Sequence, residues 1–555
     1  MAYTLADLNE AIADAVPGRD AIVTATHRLT WRELRDRSRR LAHLLLRTGL
    51  GCRRERDGLA PWESGQDHVA LYLYNGHEYL EAMIGCAKAR AVPFNVNYRY
   101  VEDELVYLLR DAEARAIVYH ASFAPMLARV LPKLPPMTLM LQVADDSGLP
   151  LLPGARDYEE ALAASSAEPV AVATTDDDLY IVYTGGTTGM PKGVLWRQAD
   201  IFFSAMGGRI PGQEPVTSLA DVVARTAWGE MNRTLPAPPF MHGAGHWTAF
   251  MTLHQGGTVI VQREIRRLDA DDVWRTIERE RAGSLTIVGD AFARPLLDQL
   301  HAGSYDLECL RVIGSGGAVF SAALKHALLE RLPGIMIADG FGASETGAQG
   351  ASFMSAGNTS GGGFTMDREH TFVVDEALSR RLSADDRSIG WLARSGHIPL
   401  GYLGDEAKTR RTYPTIGGVR CAIPGDRAHL NGDGTIKVLG RESVCINSGG
   451  EKIFAEEVEG ALKRHPAVYD TLVVGTPSAR WGEQVTAVVA LRPGARATDD
   501  ELRDAAGAEL ARFKLPRAFV FVESVQRAPT GKPDYAWAKA LAARALGAAE
   551  PDRRA

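Results

Sequence analysis

The chain has 555 residues, 46% hydrophobic and 24% charged, with a formal net charge of −7. That length predicts two or more domains, and the mild acidity advertises no nucleic-acid footprint, although it leaves room for a local basic patch. Five scattered cysteines with no C-x-x-C pair exclude a disulfide framework and a structural zinc site. No apolar run reaches bilayer length and the N-terminus lacks a signal-peptide pattern, so a soluble cytoplasmic protein is expected, with peripheral membrane contact left open.

In chain order, Thr30-Trp31-Arg32-Glu33 predicts a capping box, followed by a helix with Leu34, Leu41, Leu44 and Leu45 on one face. Residues 52–67 are charged and turn-rich and predict a surface excursion. HVALYLY, EYLEAMIGCAKARA and VPFNVN predict strand, helix and strand, a βαβ unit whose crossover implies a parallel sheet. DDLYIVYTGG, GGTVIVQ, GSLTIVGD, LRVIGSGGA and GIMIADGFG are each an apolar run ending in glycine or small polar residues. In open α/β sheets ligands bind outside the carboxyl ends of strands, so several of these ends are expected at one site. From about residue 441 the pattern shortens to α+β: EEVEGALKRHPAV helix, YDTLVVG strand, VTAVVAL strand, DELRDAAGAELARF helix. The expected fold class is α/β, with a large N-terminal domain (1–440) of α/β sheet subdomains and a small mobile α+β domain (441–555).

The strongest local signal is Tyr183-Thr184-Gly185-Gly186-Thr187-Thr188-Gly189-Met190-Pro191-Lys192-Gly193. Glycines let the backbone approach a polyphosphate, successive amides form an anion-binding concavity, and Lys192 adds positive charge. It is not a Walker A loop, because the second glycine such a loop requires falls at Met190 or Pro191. Taken alone it reads equally well as a surface loop. Asp339-Gly340-Phe341-Gly342-Ala343-Ser344-Glu345-Thr346 follows an apolar run, and alone would read as a capped helix start. Gly316-Gly317-Ala318 alone would be a turn. Pro424-Gly425-Asp426, Gly440-Arg441, Ser448-Gly449-Gly450-Glu451-Lys452-Ile453 and Pro529-Thr530-Gly531-Lys532-Pro533 complete the series.

In this order the motifs resemble those of the adenylate-forming superfamily, which includes acyl-CoA synthetases, luciferases and peptide-synthetase adenylation domains, over essentially the whole chain. TGGTTGMPKGVLWR, ASETG, INSGGEKI and PTGKPDYAWAK are most similar to actinobacterial acyl-CoA synthetases acting on fatty acids and steroid side-chain acids. The resemblance implies an ATP-dependent ligase, with Mg²⁺ and coenzyme A as co-substrate. It implies that Thr184, Gly185, Gly186, Thr187, Thr188, Gly189 and Lys192 cradle phosphates, and that Gly316, Gly317 and Ala318 line the adenine. Asp339, Gly340, Phe341, Gly342 and Ser344 belong to the second nucleotide motif, with Phe341 stacking on adenine and Ser344 meeting the α-phosphate. Glu345 holds magnesium, Asp426 and Arg441 hold the ribose, and Lys532 bridges the acid and the α-phosphate. Gly449, Gly450 and Lys452 belong to the loop that approaches the pantetheine thiol, and His242 lies between the acyl pocket and the thiol channel.

Two departures from the family wording are Ser443, where the hinge residue is usually Asp or Lys, and the proline before Gly425. Gly289-Asp290-Ala291 and Gly314-Ser315 are expected beside the acid. No lysine or arginine is evident there, which favours an apolar acid. Asp290 then has two readings, a buried hydrogen-bonded group or a reader of a substrate hydroxyl or ketone. Expected partners are a small carboxylic acid, ATP and coenzyme A, and a homodimer is compatible with the sequence. An acyl-AMP ligase that loads a carrier protein and a non-catalytic nucleotide-binding protein remain as alternatives.

Overall fold

The computed structural model describes residues 3–184, 190–210, 213–358, 364–367, 369–383, 385–386, 388–432, 435–448, 451–478, 480–527 and 531–547. Helix α1 (Trp31–Arg47) starts with the reciprocal Thr30–Glu33 capping box and buries Leu34, Leu41, Leu44 and Leu45. Strand β1 (His68–Tyr72), helix α2 (His77–Lys88) and strand β2 (Val92–Asn95) form the expected βαβ unit. The strands run parallel with His68 opposite Val92. Helix α2 lies hard against α1: a Cβ on Gly85 would stand 2.8 Å from Leu41 Cδ2, so only glycine allows this approach.

The first sheet has eight strands and extends from β2 through β3 (Leu179–Thr184) to β4 (Lys192–Arg197). β3 is parallel to β2 and antiparallel to β4, with Thr184 opposite Lys192. Full burial along β1 and β2 and nearly all of β3 is what a parallel sheet covered on both faces requires.

A second sheet has nine strands. At its centre β5 (Arg233–Pro236), which leads into helix α3 (Gly243–Leu253), lies beside β6 (Ser284–Ile287), which leads into α4 (Gly289–Ala302). β6 is parallel to β7 (Val312–Gly316), and β7 to β8 (Met336–Ala343). β8 turns back as β9 (Gly347–Ser355), so Ser344, Glu345 and Thr346 form a hairpin turn and not a helix start. Three of the glycine-ended strands, β6, β7 and β8, therefore bring their carboxyl ends side by side. The GGTVIVQ strand, Thr258–Ile260, lies on the far side of β5, and β3 belongs to the first sheet.

A four-stranded antiparallel sheet joins Thr371–Val374, Ile389–Arg394, β10 (Asp426–Leu430) and β11 (Ile436–Arg441). After Arg441 the hairpin β12 (Cys445–Ser448) and β13 (Glu451–Phe454) leads into α5 (Ala455–Leu462). The long hairpin β14 (Val468–Ser478) and β15 (Gly482–Leu491) completes the central part of a fourth sheet. Ile453, Val458, Leu462, Val473, Val485 and Leu502 form a core of their own there. Helix α6 (Asp499–Gly507) is shorter than its apolar spacing predicts: it stops at Gly507, and Arg512–Lys514 make only a 3₁₀ turn. No described helix is long and apolar enough to cross a membrane.

Candidate active site

Two buried asparagines join the sheets where the site forms. Asn95, ending β2, accepts the Tyr183 N–H at 2.7 Å and donates to the carbonyls of Tyr183 (2.9 Å) and Met241 (2.7 Å). Asn75, following β1, accepts the Phe240 N–H at 2.6 Å and donates to the Pro238 carbonyl at 3.0 Å. They fix the exit of β3 relative to the turn that carries His242. At that exit Thr184 ends β3 and Lys192 begins β4. The intervening Gly185, Gly186, Thr187, Thr188 and Gly189 lie outside the described residues. Lys192 Nζ stands 3.3 Å from Asp405. Burial works against its charge, but Asp405, with Tyr107 and Asp111, holds the ammonium above its ordinary pKa.

Gly316 ends β7 opposite Gly340 on β8, and Gly317 takes φ +86°, a conformation suited to glycine, before Ala318. Asp339 is buried and ion-paired to Lys325 at 2.5 Å; burial raises its carboxyl, and Lys325 only partly offsets that. Gly340, Phe341 and Gly342 run along β8. The next turn is tied down from both sides. Trp196 Nε1 donates to the Ser344 carbonyl at 2.9 Å, and Thr346 Oγ1 accepts the Ala343 N–H at 3.0 Å. The Tyr402 hydroxyl donates to Glu345 Oε1 at 3.0 Å, with Lys408 lying over the Tyr402 ring at 4.1 Å.

Asp426 and Arg441 sit directly opposite each other on β10 and β11, with Arg441 Nε 3.3 Å from Asp426 Oδ1. Burial raises the Asp426 carboxyl against the pull of Arg441. Lys532 is exposed and Arg441 half-buried, its side chain 41% accessible, although protein surrounds both. The Lys532 ammonium lies below its ordinary pKa, first through burial and then through the charge of Arg441, with Glu345 opposing. His242 stands at the N-cap of α3 and is half-buried, with its Nε2 atom buried and without a hydrogen-bond partner. Burial and the nearby charge of Lys532 push its pKa down to about 3. Glu345, Asp426, Arg441, Lys532 and His242 thus share one electrostatic neighbourhood, built from the second sheet, the third sheet and the C-terminal part. The lysine turn is seated closely: a Cβ on Gly531 would lie 3.1 Å from Ala291 Cβ and 3.2 Å from the Val288 carbonyl.

Lys452, on β13, is ion-paired with Glu442 at 2.6 Å. Gly449 and Gly450 lie outside the described residues. Of the two readings of Asp290, the hydrogen-bonded one holds: Oδ1 accepts the Ser321 N–H at 2.8 Å and Oδ2 faces Lys463 Nζ at 3.3 Å. The expectation that no cation lies near is corrected as well. Arg99, Arg266, Arg267 and Arg527 reach the wall of a cavity of about 170 Å³ that also touches Ala291 and Gly531. Sequence spacing could not show this, since Arg99 lies far along the chain from the adjacent pair Arg266 and Arg267.

Among the described residues no group of three or more His, Cys, Asp or Glu side chains could cage a metal. A single carboxylate such as Glu345 suits Mg²⁺, which binds through one or two carboxylates, substrate phosphates and water. Asn75, Asn95 and Tyr402 carry no motif signal and emerge only from the structure, as does the contact that Trp196 of the TGGTTGMPKGVLWR stretch makes with Ser344.

The AMP-binding enzyme family matches residues 9–396, and the AMP-binding enzyme C-terminal domain matches residues 457–532. The chain is 50% identical over 539 residues to the medium-chain acyl-CoA ligase Mig of Mycobacterium avium, covering 97% of this chain and 98% of that protein. It is 42% identical over 554 residues to a 3-oxocholest-4-en-26-oate–CoA ligase of Rhodococcus rhodochrous, covering 97% and 96%. Among solved structures, the anthranilate CoA ligase AuaEII in complex with anthranoyl-AMP aligns with a TM-score of 0.79 at 22% identity over 98% of both chains. ATP-bound MatB of Rhodopseudomonas palustris aligns at 0.75 and 22%, covering 96% of this chain and 98% of that one. At that identity the likeness concerns the fold.

Proposed function

The chain belongs to the AMP-binding enzyme family, and from that premise we propose that it is an ATP-dependent acyl-CoA ligase for medium- or long-chain fatty acids or a steroid side-chain acid. The observation that carries the reading is the pairing of Asp426 with Arg441 together with the charges of Arg441 and Glu345 acting on the Lys532 ammonium. The acid's carboxylate attacks the α-phosphorus of ATP, the bond to pyrophosphate breaks, and an acyl-adenylate forms. Lys532 neutralises charge between carboxylate and α-phosphate. Asp426 accepts from the ribose hydroxyls with Arg441 beside it, Phe341 stacks on adenine, and Thr184, Lys192 and the intervening loop hold the phosphates. Glu345 would hold Mg²⁺, which supplies charge neutralisation on the phosphates when bound. The thiol of coenzyme A then attacks the acyl carbonyl and AMP leaves. His242, neutral at working pH, stands beside that carbonyl.

In this reading residues 1–440 form the adenylation and acyl-binding domain, and 441–555 form the mobile domain that exchanges Lys532 for the Gly449-Gly450 loop between the two steps. The enzyme works in the cytoplasm, where ATP and coenzyme A are supplied.

The test has two stages, each with a panel of fatty and steroid acids. Acid-dependent exchange of pyrophosphate into ATP must occur, followed by coenzyme A-dependent release of AMP. No exchange with any acid sinks the reading. Exchange followed by thioester formation only on a carrier protein would replace coenzyme A as acceptor.

A further inference from the structure

Resting on that reading, we infer that Asp290 is a positioning residue for Lys532, acting through a charge relay that crosses from the second sheet into the C-terminal part and holds it in the adenylating orientation. Asp290 opens helix α4 directly after β6 and is 7% exposed. With Oδ1 fixed by the Ser321 amide, its Oδ2 faces Lys463 Nζ. Lys463, at the end of α5, stands 3.2 Å from Asp470 Oδ1. Asp470 takes both its oxygens to Arg527, at 2.7 and 2.8 Å, and Arg527 Nη1 donates to the Gly531 carbonyl at 3.2 Å. Gly531 precedes Lys532. The relay thus alternates in sign, Asp290, Lys463, Asp470, Arg527, and ends one residue from the lysine that acts on the acid.

A second contact crosses at the same place. Arg294, one turn along α4, lies over the Tyr469 ring at 4.7 Å. The burial of Lys463, 5% exposed, is what makes the relay selective for one orientation. While the parts are docked, Lys463 has two carboxylates. When the C-terminal part turns away, Asp290 is parted from Lys463, which keeps Asp470. Breaking a paired, buried charge is costly, so the intact pair favours the docked state and does nothing for the step that follows undocking.

The experiment is a double-mutant cycle read separately in the two half-reactions. Wild-type exchange is measured first, because its absence would refute the activity and not the relay. Asp290→Asn keeps an oxygen for the Ser321 amide and loses the charge; Lys463→Met keeps the packing and loses the charge. Each is expected to slow single-turnover adenylation about tenfold, with the double variant no slower than the worse single, since one interaction is lost in all three. Thioester formation from supplied acyl-adenylate is not slowed, and Lys463→Arg recovers most of the adenylation rate. Should Lys463→Met fail to fold, Arg294→Leu, which removes the second contact, carries the same split between the half-reactions. Equal slowing of both half-reactions, additive losses, or adenylation at the wild-type rate would overturn the inference.

Discussion

Lys532 illustrates how far one side chain's surroundings determine its chemistry. Burial and Arg441 destabilise its charged form, so deprotonation begins at lower pH than for an ordinary lysine. The adenylation rate should therefore fall on its alkaline side before an ordinary lysine would titrate, and that limb should be missing from the residual activity of Lys532→Arg. Lys532→Ala should lower adenylation by roughly 10²–10³-fold, the usual loss for one group stabilising transition-state charge. It should leave thioester formation from supplied acyl-adenylate near wild type, and survival of adenylation would remove Lys532 from its assigned role. His242 offers the opposite case. With a pKa of about 3 it stays uncharged across the working range, so His242→Asn should change the thioesterification rate without moving any inflection between pH 5 and 8. A displaced inflection there would show that the imidazole titrates.

At the scale of elements, the site depends on strand ends being fixed relative to one another. Asn95 makes three buried hydrogen bonds to two separate chain segments. Asn95→Leu should cost about 3 kcal/mol, because buried backbone groups at Tyr183 and Met241 would be left unpaired. A denaturant midpoint within error of wild type would contradict this. The contrast with the glycine motifs explains what was readable in advance. A run such as TGGTTGMPKG is informative because its composition is abnormal for any other purpose, and β3, β6, β7 and β8 were evident from apolar runs closed by glycine. A lone asparagine after a strand has no such signature, and Tyr402 reaches Glu345 across 57 positions of chain. The sheet holding β10 and β11 was missed for a related reason: strands of four to six residues leave too short an alternation to detect. Asp290 was legible as out of place, but its partner Lys463 lies 173 residues away.

For the molecule as a whole, buried histidines set the acid limit. His77, His246 and His254 are pushed down to about 4 by burial, and His242 to about 3. Their folded pKa values lie below the unfolded value near 6.5, so the unfolded chain binds more protons and stability falls as pH falls from about 6.5 toward those values. Each contributes at most ~1.4 kcal/mol per pH unit across that window. His254→Gln, which can still donate to the Met206 carbonyl, should flatten the fall of Tm between pH 6.5 and 4.5; an unchanged slope would mean that this histidine binds its proton equally in the folded and unfolded states. The two large sheets are also tied together, since Asn75 and Asn95 bond the first sheet to the segment leaving β5.

Gly531 gives the fit between the two parts a measurable size. With φ +75° and its missing Cβ facing Ala291 and Val288, it leaves clearance for a hydrogen atom and little more. Residue volume at this one position therefore works as a graded wedge: alanine, then valine, would lever the lysine turn progressively off its seat. If Lys532 has the role proposed for it, an enzyme so altered should become a one-way device, able to finish a reaction begun elsewhere from a ready-made acyl-adenylate but unable to begin one.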